Sequence, residues 1–264
     1  MTSAIVPRRD YLVGQRRLII ARSIAGSVAG IIPVPFLDDW AKAAVLGGGY
    51  RRIAAAHGVD LSDEAVTSLV HGKSPPAKMA DLAVSGIAYR IASRAAKRMM
   101  LALAAIGRAR SAARTFVTMT LFDHYCTKLH TGLALDGPTA LALREEIERA
   151  IAQTPGALGF HPFRKGLASA ARATLKAPLE LADLATRGAV RRLLAKKSAS
   201  EVTDAEAVDT LDHAIETELA NKTGFLSRTV AAVEVQLSAD ANPFLDQVID
   251  TFDTRWRAYA AAKR

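Results

Sequence analysis

Cysteine, aromatic residues and uninterrupted apolar runs are all scarce in this chain, and each shortage closes off a class of protein. The one cysteine, Cys126, cannot form an internal disulfide, so nothing in the 264 residues demands an oxidising compartment, and there is no Cys cluster to hold zinc. Aromatics make up 6% of the residues and β-branched side chains are few, which disfavours a sheet. The most apolar run, Ser23 to Leu37, is interrupted by Pro33 and Pro35 and bounded by Arg22 and Asp38. It is shorter than the roughly 20 residues that a spanning helix needs. Residues Met1 to Asp10 lack the apolar core and small-residue cleavage site of a signal peptide, so the cytoplasmic side is the expected location.

Familiar catalytic and nucleotide motifs are missing too. Neither G-x-x-x-x-G-K-[ST] nor G-x-G-x-x-G occurs, nor does H-E-x-x-H or G-x-S-x-G. No cofactor is implied, and no set of residues in the sequence assembles into a recognisable enzyme site.

What remains is an alanine-rich chain, half hydrophobic and 23% charged, a composition that favours helix. The expected fold is all-α, an Ala-rich multi-helix bundle with a tight proline-containing αα-hairpin. Caps, prolines and glycines place helices near 9–32, 36–57, 62–71, 75–131 with a break near Gly107, 138–152, 164–197, 204–222, 225–239 and 243–262. In the last of these Phe244, Val248, Phe252, Trp256 and Tyr259 make one apolar stripe. The Gly132 to Pro138 turn divides the chain into a basic helical-hairpin domain, 1–132, and a charge-segregated helical domain, 133–264.

Charge is distributed unevenly around a net +9. Residues 1–132 hold 18 Lys/Arg against 8 Asp/Glu, while 133–264 hold 17 against 18. Within the second half, Arg164 to Lys197 carries nine basic and two acidic residues, and Glu201 to Asp253 carries two and twelve. Opposite charge on neighbouring segments suggests that these two pack antiparallel.

Residues 11–58 are the most informative. Ile20, Ile24, Val28 and Ile31 form an apolar stripe, while Gly26 and Gly30, with Ala21, Ala25 and Ala29, form a small-residue ridge for close helix packing. Pro33 and Pro35 end the helix, and Asp38 or Asp39 favours the start of the next through its dipole. The hairpin tip is wholly apolar: Ile31, Ile32, Pro33, Val34, Pro35 and Phe36. Two fates are open to it, burial as core or shallow insertion into a bilayer.

This order, with a following helix that ends Arg51-Arg52-Ile53-Ala54-Ala55-Ala56-His57-Gly58, resembles a hairpin of bacterial EcsC-like proteins and of the GTPase-associated YcjF-like membrane proteins. The stretch Ala113 to Phe122 is similar to their second apolar hairpin, with Ile106-Gly107-Arg108 in place of the usual Pro-Gly turn. His57 stands where an aromatic is more usual. The resemblance covers residues 15–130 and implies a helical, membrane-associated accessory protein.

Other candidates are local. Gly47, Gly48 and Gly49 beside Arg51 and Arg52 suggest either a phosphate contact or close helix packing. Phe160 and Phe163 flank His161 and Pro162 ahead of Arg164 and Lys165, the mixture of aromatics and cations that anchors a protein at a lipid interface or, alternatively, plugs a gap between domains. Cys126 and His130 share a helix face, as a nucleophilic pair would, without a third orienting group. Asp209, Asp212, His213 and Glu216, completed by Asp123 and His124 or by Glu145, Glu146 and Glu148, have the spacing of a bundle metal site. His57 and His71 precede glycines and suit helix C-caps.

The favoured expectation is a non-enzymatic accessory or binding module, peripheral on the inner face of the membrane. It would engage anionic membrane lipid, with a protein partner as a further possibility, through the tip and through Arg16, Arg17, Arg51, Arg52, Phe160, Phe163, Arg164 and Lys165. Nucleic-acid binding by basic helices 90–114 and 164–197, or an enzyme acting on a hydrophobic substrate within the bundle, are the alternatives. Circular dichroism of the purified chain should show an overwhelmingly helical protein whose fold is unchanged by EDTA.

Overall fold

The computed structural model describes residues 9–29, 37–74, 99–159, 161–166, 213, 215–217, 219–221, 224–239 and 243–263. A 3-10 turn, Asp10–Leu12, leads into α1, Val13–Ala29; α2 is Leu37–Ala56, α3 Asp63–His71, α4 Met99–Lys128 and α5 Gly137–Gln153. A short helical stretch spans 161–166, and α6, Phe225–Ala239, and α7, Pro243–Ala262, follow. The fold is all-α, as the composition predicts. The described residues add a minimal parallel ladder, β1 Asp60–Leu61 with β2 Ala134–Leu135, too short for any alternation to announce it. The break expected near Gly107 is corrected: α4 runs through Ile106-Gly107-Arg108 as one helix, in which a single glycine costs only about 1 kcal/mol.

α1 lies at the centre, packed against α2, α4 and α6. Every residue from Ile19 to Ser27 is buried, so this stretch of the helix has no water-facing side. Its polar members are accommodated locally: Ser23 Oγ donates to the Ile19 carbonyl at 2.7 Å, and Ser27 Oγ to Ile24 at 2.8 Å. Arg22, 0% exposed, donates from Nη1 to the Val45 carbonyl of α2 at 3.2 Å.

α1 and α2 are antiparallel. A Cβ placed on Gly26 would touch Val45 and Leu46, whereas one on Gly49 would lie 3.5 Å from Arg22 Cγ, so α2 advances as α1 recedes. The glycine triplet serves this close packing. A Cβ on Gly47 would come 3.2 Å from Val66 of α3, and one on Gly49 would come 2.6 Å from Met119 Cε of α4. Gly30 and the tip residues Ile31 to Phe36 lie outside the described residues, as do 167–212, which hold most of the basic segment expected to pair with Glu201 to Asp253.

The two sides of the Gly132 to Pro138 turn share contacts. β2 pairs with β1, α3 packs on α5, and one apolar core runs from Leu12 to Trp256. Ser62 caps α3 by accepting from Ala65 N at 3.1 Å, and Asp136 caps α5 by accepting from Thr139 N at 2.8 Å. The predicted stripe on α7 is largely buried: Val248, Phe252 and Trp256 enter the core, while Phe244 is 42% exposed. Trp256 meets Tyr125 edge-on at 5.0 Å, and Tyr50 meets Phe122 in the same way at 5.0 Å, so aromatics bridge α2, α4 and α7.

Helix 161–166 docks on α6 through Gly166, where a Cβ would lie 2.4 Å from Val233 Cγ2 and 3.2 Å from its backbone N. Val233 is β-branched and stiff. Gly166→Ala should therefore destabilise the protein by about 1–3 kcal/mol. Gly49→Ala should be close to neutral, because the flexible Met119 tip can swing aside and the helix gains roughly 1 kcal/mol of intrinsic propensity. Urea unfolding of the two variants tests the contrast.

Candidate functional site

Charged side chains in this fold are mostly committed to one another. Arg9 holds Asp246 at 3.0 Å and Asp250 at 2.6 Å, Arg17 holds Glu234 at 3.5 Å, and Arg52 pairs with Glu216. The carboxylates of the acidic segment thus meet arginines of the N-terminal half. Arg51 reaches Asp63 at 2.7 Å, Arg114 pairs with Glu148, and Arg144 donates to the Leu69 carbonyl and, at 2.7 Å, to that of Val70. Of the five arginines expected at the membrane, Arg17, Arg51 and Arg52 therefore have carboxylate partners within the chain. Arg16 is half-buried.

One turn of α4 gathers a polar network from distant parts of the chain. Asp123 is 0% exposed and accepts from His57 Nε2 at 2.6 Å. Thr127 Oγ1 lies 3.3 Å from the same imidazole nitrogen and donates to the Asp123 carbonyl at 2.8 Å. The structure corrects the capping role expected for His57: its ring turns to a buried carboxylate across the core, an attraction that a loop carbonyl cannot match. Burial pushes the Asp123 carboxyl up, opposed by its hydrogen bond to His57.

Next along the helix, His124 is held on both sides. Because a carboxylate only accepts, His124 Nε2–H donates to Asp253 of α7 at 2.5 Å, which leaves Nδ1 to accept the Tyr11 hydroxyl at 2.6 Å. Carboxylate, imidazole and hydroxyl in this order resemble an acid–base relay. Burial, however, raises the Tyr11 phenol and lowers His124, the opposite of what an activated nucleophile requires. The Lys128 ammonium sits over the Tyr11 ring at 4.8 Å. The arrangement ties the 3-10 turn and α7 to α4.

The other chemical candidates resolve locally. Cys126 is buried, and burial together with the Asp123 charge drives its thiol far up, so it packs as a small apolar side chain. His130 Nδ1 lies 3.1 Å from the Tyr125 hydroxyl instead of serving the cysteine. Asp209 and Asp212 lie outside the described residues, Glu216 is taken by Arg52, and among the described residues no group of three or more His, Cys, Asp or Glu is placed to hold a metal. Among the same residues no helix is long and apolar enough to cross a membrane.

The Phe160 to Lys165 stretch also changes meaning. Phe160 lies outside the described residues. Phe163, expected as an exposed anchor, is corrected to core: it is 1% exposed, with its ring 5.4 Å from that of Phe116. Burying this ring against α4 removes it from water altogether, the plug that the sequence also allowed. Arg164 and Lys165 remain exposed on the other face.

Two cavities are present among the described residues' surfaces. One, of about 590 Å³, is lined by Glu146, Gln153, Thr251, Thr254, Arg255, Ala258 and Tyr259. Its charges are settled, with Arg255 2.8 Å from Glu146 and 3.0 Å from Gln153 Oε1. The other, of about 510 Å³, lies between α4, the end of α5, the 154–159 turn and helix 161–166, and Arg110, His161 and Arg164 are among its walls. No sequence motif pointed to Arg110, because only packing brings α4 beside the 154–159 turn.

The buried imidazole sets a pH dependence. His124 is held below its ordinary value of 6.5 by burial, only partly offset by Asp253. Below pH 6.5 the unfolded chain therefore binds the proton first, and stability should fall as the pH drops from 6.5 toward the lowered folded value. Asp123 works in the opposite sense at lower pH, since its raised carboxyl takes up a proton earlier in the folded state. Urea midpoints measured at pH 7.5 and 6 should separate for the native protein and separate less for His124→Gln. Comparison of the chain with protein-family models, curated proteins and solved structures finds no match.

Proposed function

We propose that this chain is an accessory module that engages an anionic membrane surface peripherally, on the cytoplasmic face, without spanning it. The supporting observation is the antiparallel packing of α1 on α2. It makes the intervening Ile31-Ile32-Pro33-Val34-Pro35-Phe36 the connection of a helical hairpin, and that connection carries no charged or polar side chain. The resemblance of residues 15–130 to EcsC-like and YcjF-like proteins points the same way.

The internal ion pairs redistribute the roles within this reading. Arg17, Arg51 and Arg52 would have to leave carboxylates to reach a phosphate, so they contribute little net attraction. Attraction to headgroups rests on cations such as Arg16, Arg164 and Lys165, at roughly 1 kcal/mol each near the surface. Adhesion rests on the tip, where each buried apolar side chain contributes at best about 1.5–3 kcal/mol.

Flotation with liposomes tests this. The native chain should float with anionic vesicles, less so as salt increases, and poorly with neutral ones. Ile32→Asp or Phe36→Asp should abolish flotation, while Arg17→Ala and Arg52→Ala should weaken it little. A folded protein that never floats with anionic vesicles, or tip variants that float like the native chain, would refute the proposal.

A further inference from the structure

The larger significance of the 510 Å³ cavity lies in its charge balance. It is lined by Arg110, Ile151, Thr154, Gly156, Leu158, Gly159, His161 and Arg164, with no carboxylate among them. Most arginines described above are spoken for: Arg9, Arg17, Arg51, Arg52, Arg114, Arg149, Arg255 and Arg257 by carboxylates, and Arg144 by backbone carbonyls. Arg110 and Arg164 are exposed and, among the described residues, make no ion pair.

Two arginines from separate elements thus line one concave space, with no carboxylate beside them among the described residues. Ile151 and Leu158 give the same cavity an apolar part. The 154–159 turn that also lines it is built tightly: Gly156 has φ +83°, and a Cβ there would lie 2.8 Å from the Phe244 ring, so the turn packs closely on the start of α7. Thr154 is already engaged, donating to the Ala150 carbonyl at 2.9 Å.

We infer that this cavity is a binding site for a phosphate group carried on an apolar chain or body. Arg110 and Arg164 clamp the phosphate oxygens by charge-assisted hydrogen bonds, and Ile151 and Leu158 receive the apolar part. The phosphate can belong to a lipid headgroup or to a soluble phosphorylated molecule.

Calorimetric titration of the full chain with dodecyl phosphate below its micelle concentration, with inorganic phosphate and with uncharged dodecyl maltoside reads the site directly. Dodecyl phosphate should bind most tightly, inorganic phosphate more weakly and the maltoside not measurably. Arg110→Gln and Arg164→Gln should each weaken dodecyl phosphate binding by about tenfold or more. Arg257→Gln, which removes an exposed arginine that lines neither cavity, should leave it unchanged, and circular dichroism should show all three variants folded. Equal binding by the native chain and both cavity variants, or no binding of either phosphate probe, would overturn the inference. Phosphatidic acid vesicles separate the sources. Flotation lost in both cavity variants identifies a lipid headgroup, whereas soluble phosphate binding without flotation identifies a soluble ligand and sinks the membrane reading alone. Flotation that needs Ile32 but neither arginine, with no soluble binding, removes the cavity site and leaves the membrane reading standing.

Discussion

Fastening the chain around α4 requires that charged and polar groups enter the interior together, because a lone buried carboxylate or imidazolium costs several kcal/mol. Asp123 and His124 meet this constraint as neighbours on one helix that point to different partners. Asp123 takes His57 from the end of α2, and His124 takes Tyr11 from the first turn and Asp253 from α7. Four segments meet within one helical turn, with Tyr11 coming from 113 residues before His124 and Asp253 from 129 after it. Around it lie the aromatic contacts of Tyr125 with Trp256 and of Phe122 with Tyr50, so the polar ties and the apolar seam hold the same helices.

The same economy of charge explains the surface. Carboxylates of the acidic segment turn toward Arg9, Arg17 and Arg52, and a basic N-terminal half becomes less available to outside anions than its sequence suggests. Exposed pairs of this kind contribute little stability, about 0–1 kcal/mol each. Their consequence is selective: they cover some cations and leave others. The cavity beside helix 161–166 collects Arg110 and Arg164 with no carboxylate among its described lining residues, while the cavity beside α7 contains both Arg255 and its partner Glu146.

Close packing at the glycines holds these surfaces in place. Gly26, Gly47 and Gly49 let α2 approach α1, α3 and α4, and Gly166 seats helix 161–166 on Val233. An arginine can sit in the core at position 22 because its guanidinium reaches the Val45 carbonyl across this narrow gap.

Much of the architecture was legible in the residues. Alanine content predicted helix; Asn242-Pro243 marked the start of α7, Gly224 that of α6, and Pro33 and Pro35 the end of a hairpin, since each acts through local backbone geometry. The stripe Val248, Phe252 and Trp256 and the close packing at the glycine triplet were equally local. The partners of His57, Arg52 and Phe163 were not legible, because a histidine before glycine, an arginine on an exposed face and an aromatic beside cations each have several local uses. The residues by themselves determined helix content, helix ends and which faces are apolar, since these depend on neighbours within one or two turns. Tertiary structure alone decided which carboxylate each arginine and histidine meets and which cations are left to share a cavity, since those choices join different helices, with residues as far apart as Arg9 and Asp250.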